Sequence, residues 1–114
     1  MPGNFLNKIA TKVISFAVRK YIEPYGELEN LLIDNETKEI LASLQLKGEL
    51  QSIEIKMLQY GFIRDNEKNY LIFSDLYTSR EWLNVILLNY FEEKPDAKKI
   101  EIPPAVATLL KFLL

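Results

Sequence analysis

The sequence predicts an α+β domain in which helices pack on an antiparallel sheet, and three observations lead there. Apolar residues recur at helical spacing over residues 5–22, alternate in four runs over residues 27–78, and return to helical spacing over 80–91 and 103–114. The alternating runs are joined by short turn-forming segments, which favours hairpin neighbours over long crossovers. The expected order is an N-terminal amphipathic helix, a four-stranded antiparallel meander and two C-terminal helices packed on the sheet. At 114 residues, the length suits a single domain, 1–114, with one core.

Asn4 is suited to capping the first helix, and Pro24 disfavours the α conformation at Glu23, so residues 5–22 are expected to be helical. In projection, Phe5, Leu6, Ala10, Val13, Ile14 and Ala17 fall with other apolar residues in an arc of roughly 180°, opposite a stripe of Lys8, Lys12, Ser15 and Arg19. So wide an arc predicts contact with two surfaces or with a curved sheet. "EPYGE" then turns the chain, and "ELENLLID" begins the sheet. "DNETK" forms the next turn, because Asp and Asn side chains bond nearby backbone. In "EILASLQLK", Ile40, Ala42, Leu44 and Leu46 share one face. "GELQ" leads to "SIEIKMLQYGFI", where Ile53, Ile55 and Met57 point inward and Gly61 is a candidate bulge. "RDNEKN" is the last hairpin loop and "YLIFSDLYT" the fourth strand.

Thr78 and Glu81 have the spacing of a capping box for the second helix, "REWLNVILLNYF" at 80–91. Its Asn84 and Asn89 lie about 140° apart around the axis, so its apolar residues cannot form one stripe. "EEKPDAKK" is a solvated connection, "IEI" a short edge strand, and the prolines of "PPAVATLLKFLL" open a final helix. An end as apolar as Leu109, Leu110, Phe112, Leu113 and Leu114 is expected to dock on the body.

Composition narrows the function classes. With 48% apolar and 26% charged residues the chain has a globular balance. No apolar run approaches the roughly 18 residues of a membrane span. Residues 1–22 carry +4 and the remainder −6, within a net charge of −2. The basic helix reads first as a core helix whose outer face pairs with the acidic body, with peripheral membrane contact through residues 5–22 as the other reading. A pI near 5.2 disfavours nucleic acid as a partner. The absence of cysteine leans towards a reducing, cytoplasmic location.

No histidine and no cysteine removes the commonest general base, the thiol nucleophile and the imidazole metal ligands. The acids lie mainly in turns or alternate outward on strands, without calcium-loop spacing, and the four glycines form no phosphate loop. A non-enzymatic protein without cofactor or metal is expected. "NET" at Asn35 matches a glycosylation acceptor by pattern alone. Arg80 is a candidate contact for an anionic head group or a partner, and Trp82, Tyr60, Tyr70, Tyr77 and Tyr90 are candidates for a pocket or an interface.

Three elements ask for burial on more than one side, whereas a small domain hides only about 60 to 70% of its potential surface. The first half, "FLNKIATKVISFAVRKYI" followed by "LENLLIDNETKEILASLQLKGE", is similar to the opening of chorein-type lipid-transfer proteins, and its layout resembles part of a tubular lipid-binding domain. The aromatic-glycine turn of the chorein pattern is absent from "DNETKEI", and the helical second half departs from a long groove. The resemblance implies a sheet whose apolar side holds lipid. The expectation is therefore a lipid or other apolar small molecule bound in a groove between sheet and helices. Its lining would include Leu44, Leu46, Ile53, Ile55, Phe73, Trp82 and Ile86. The alternative is a homo-oligomeric interaction or structural module, in which a homodimer covers the same surfaces.

Overall fold

The computed structural model describes the backbone of residues 2–112 and the side chains of residues 8–110. It is an α+β fold with antiparallel sheets and an N-terminal helix, but the strands among the described residues number seven and form two sheets. Helix α1 (Pro2–Ile22) begins before the expected cap, with Asn4 inside its first turn. Proline suits that start, because its fixed φ is already helical and its missing N–H has no intrahelical partner to lose.

The larger sheet contains β1 (Gly26–Asp34), β2 (Glu39–Leu46), β3 (Ile53–Leu58) and β6 (Asp75–Thr78), in the order β1-β2-β3-β6. The smaller contains β4 (Gly61–Asp65), β5 (Lys68–Ile72) and β7 (Lys99–Glu101), in the order β4-β5-β7. The predicted third and fourth strands each break once, so the single meander becomes two sheets. Gln59, at φ +51°, takes the left-handed conformation at the break, and the N–H and hydroxyl of Ser74 both donate to the carbonyl of Leu58.

These four short strands are one hairpin bent in the middle. Leu58 pairs with Asp75 on one side of the break and Gly61 with Ile72 on the other, so two residues on each arm separate the sheets and no residue is inserted. Gly61 is thus not a bulge. The bulge lies in β1, where the register shifts between Leu28 and Asn30. It keeps Leu28, Leu31 and Ile33 half-buried on the inner face although their sequence spacing is irregular. Gly26 opens β1 because a Cβ there would lie 2.2 Å from the carbonyl oxygen of Gln45. At the tip of the bent hairpin, Asn66 and Glu67 both have positive φ, 51° and 65°, as a two-residue type I′ turn requires.

Asp34 closes the β1–β2 turn by accepting the backbone N–H groups of Glu36 at 2.9 Å and Thr37 at 3.2 Å. Those bonds, Thr37 foremost, hold its carboxyl below the usual value. Across the same turn the hydroxyl of Tyr60 donates to Asn35, and the N–H of Tyr60 donates to the carbonyl of Lys38 at 2.9 Å. Burial pushes the Tyr60 phenol up, and the charge of Asp34 adds to the effect.

Helix α1 lies between two surfaces, as its wide apolar arc predicts. Ala10, Ile14 and Val18 pack on the inner faces of the sheets with Ile40, Leu44, Met57 and Leu71. Val13 and Ala17 pack on Ile102, Val106 and Leu110 of the C-terminal segment. That segment is one turn of α-helix, α3 (Pro104–Ala107), continued by 3-10 turns over Thr108–Phe112. Leu110 is buried and Leu109 packs against the same cluster, so the docking expected of the chain end holds there; Leu113 and Leu114 lie outside the described residues, as do the side chains of Phe5, Leu6 and Phe112. The basic stripe of α1 is exposed, and among the described residues the ion pairs are Lys56 with Glu39 and Lys68 with Glu101, each at 3.4 Å. The expected pairing of this stripe with the acidic body is therefore corrected.

Helix α2 (Glu81–Glu93) has Arg80 as its N-cap and no side-chain cap, so the Thr78–Glu81 capping box does not form. Instead, the Thr78 hydroxyl accepts the N–H of Arg80 at 3.1 Å and donates to the Arg80 carbonyl at 3.0 Å, making a tight turn out of β6. Asn84 anchors the helix to that strand: its Oδ1 accepts the Thr78 N–H at 2.7 Å and its Nδ2 donates to the Thr78 carbonyl at 3.0 Å. The carboxamide thus satisfies both backbone groups of the last strand residue.

Candidate functional site: an apolar cavity under helix α2

The inner face of the larger sheet is wider than α1 can cover. Cross-strand pairing sets Ile33, Ile40, Met57 and Leu76 in one row and Ala42 beside Ile55 in the next. The C-terminal part of α1 covers one side of this surface, and α2 spans the other. Between them lies a cavity of about 290 Å³. Val18, Tyr21 and Ile22 of α1, Ile40, Ala42, Leu44, Ile55, Met57 and Leu76 of the sheet, and Leu87, Tyr90 and Phe91 of α2 form its walls. Phe73 at the bend, with Ala97, Lys99 and Ile100, completes the lining. The small side chain of Ala42 leaves room in the floor.

No residue of α2 is buried. Leu83, Asn84, Leu87 and Phe91 face inward and are half-buried, at positions spaced along one narrow stripe. Phe91 meets Phe73 edge-to-face, with ring centroids 5.8 Å apart. The opposite side of α2 exposes Trp82, Val85, Ile86 and Leu88, each more than half accessible. The second helix therefore roofs a cavity with one apolar side and presents another to solvent.

Of the residues expected to line a groove, Leu44, Ile55 and Phe73 line this cavity together. Ile53 is fully buried and Leu46 packs against the core, neither of them on the cavity wall. Trp82 and Ile86 lie on the outer side of α2, and Arg80 is half-buried at its start. Sequence reasoning missed Val18 and Ile22, which continue the apolar arc of α1, and Leu87 and Phe91. No sequence signal singled out the latter pair: Asn84, in step with Leu87 and Phe91, reads as a solvent-facing residue, whereas its carboxamide bonds the Thr78 backbone.

Lys99 is the charged residue of the lining, and the phenols of Tyr21 and Tyr90 are its other polar side-chain groups. Three ammonium groups stand over aromatic rings nearby: Lys94 is 5.5 Å from the centroid of Tyr90, Lys98 5.7 Å from Phe91 and Lys99 4.5 Å from Tyr70. Tyr21 and Tyr90 are 60% and 42% exposed, which puts them at the mouth. Among the described residues no acidic cluster is placed to hold a metal ion, and no helix is long and apolar enough to cross a membrane. In comparison with known proteins, no family model, curated protein or solved structure matches the chain.

Proposed function

We propose that this protein is a non-enzymatic module that binds a lipid or other hydrophobic ligand between its sheet and helices. One observation carries the reading: the cavity of about 290 Å³ is walled by aliphatic and aromatic side chains from five parts of the fold. That volume is near the roughly 300 Å³ lower bound of ordinary ligand pockets. Full burial of an apolar ligand removes water from both surfaces at about 25 cal/mol per Å². The chorein-like layout of the first half agrees with this use but adds no residue-level support.

A neutral environment-sensitive dye tests the proposal directly. Its emission is expected to rise and saturate on the native protein, and Ala42→Leu, which fills the floor, to weaken binding about tenfold or more. Unchanged emission on the wild-type protein, with no lipid recovered by organic extraction, would remove the reading.

The alternative is a homo-oligomeric interaction module. The apolar outer side of α2, with Trp82, Val85, Ile86 and Leu88 exposed, favours it. Sedimentation showing a monomer at every concentration would eliminate it.

A further inference from the structure

Resting on the hydrophobic-ligand reading, we propose that the cavity takes a fatty acid, its single tail in the apolar space and its carboxylate among Lys94, Lys98 and the Tyr90 hydroxyl. The polarity of the site is one-sided. Its walls are apolar apart from Lys99, Tyr21 and Tyr90, and no acid lines them. Lys99 turns its ammonium onto Tyr70, on the face of the smaller sheet opposite Ile100, which leaves the two phenols as donors. The segment after α2 adds Lys94 and Lys98 directly above Tyr90 and Phe91, two of the wall residues.

None of these lysines forms an ion pair among the described residues, although Glu92, Glu93 and Asp96 belong to the same stretch of chain. Ring contacts hold the Lys94 and Lys98 ammonium groups beside Tyr90 and Phe91 without consuming their capacity to bond an anion. A neutral apolar ligand would leave that capacity unused, whereas a carboxylate at the mouth gains charge-assisted hydrogen bonds. Size favours a single chain: about 290 Å³ is at the small end of ligand pockets and suits one slender tail better than two.

Calorimetric titration of the intact protein with dodecanoate and with dodecanol separates head-group recognition from tail burial. The neutral dye is measured in parallel on the wild type and on the Lys94→Gln/Lys98→Gln variant, whose changes lie in an exposed or half-exposed segment outside the cavity wall. Dodecanoate is expected to bind about tenfold or more tightly than dodecanol to the wild type, and the preference to vanish in the variant while dye binding persists. Decanoate is expected to be weaker than dodecanoate by about fourfold for each methylene lost. Equal affinity for acid and alcohol, or a preference that survives in the variant, overturns the fatty-acid assignment and leaves the apolar cavity reading intact. Failure of the dye and both amphiphiles overturns that underlying reading as well.

Discussion

Helices α1 and α2 are both rich in apolar residues, and the richer one, α2, is the less buried. In α1, Val13 and Ile14 have no accessible surface, because the sheets close on one side and the C-terminal segment on the other. In α2 contact is confined to the stripe through Asn84, Leu87 and Phe91, and part of that stripe faces a cavity. Apolar content sets how much surface a helix could hide. Enclosure by other elements decides how much it does hide.

Truncation should separate the two helices most sharply. Ile14→Ala is expected to lower unfolding stability in urea by about 2–5 kcal/mol, and Ile86→Ala by less than about 0.5 kcal/mol. Equal losses would erase the contrast. Asn84→Ala should fall between them, at about 1–3 kcal/mol, because it orphans both backbone groups of Thr78. A cost no larger than that of Ile86→Ala would show that α2 is held elsewhere.

A smaller effect tests the enclosure around the sheets through pH. The folded state keeps the Tyr60 proton beyond the ordinary value of 10.0, so its contribution is complete below that pH and is lost as pH rises through the folded value. Tyr60→Phe should therefore show a shallower alkaline loss of stability in thermal melts than the wild type. The smallest stability change belongs to the outer side of α2. Trp82→Lys is expected to stay within about 0.5 kcal/mol in urea, since Trp82 is 56% exposed.

Much of the fold was legible because alternation and helical spacing report burial directly. The width of the α1 arc foretold its two partners, and "IEI" foretold the strand that pairs with β5. The break of two strands was not legible, because the inward alternation changes phase there, from Met57 to Tyr60 and from Phe73 to Leu76, and a change of phase equally fits the single bulge expected at Gly61. The capping box failed for a related reason: Thr78 had the right spacing, but the Asn84 side chain claims its backbone. For the site, the inward face of β2 and β3 yielded Leu44 and Ile55. Trp82 and Ile86 were drawn in because a helix apolar on all sides gives no clue to the face it turns inward.

The bent hairpin also has a consequence for how pairing is specified. Register is continuous from Asp65–Lys68 at its tip, through the break, to Ile55–Thr78 in the larger sheet. A strand slipped by one residue would send every inward side chain to the opposite face. The two-residue turn at Asn66 and Glu67 therefore fixes which residues of β3 and β6 face α2, although it lies at the far tip of the other sheet. A locally closed loop transmits its alignment along both arms, and the floor of the cavity inherits its residue order from that distant tip.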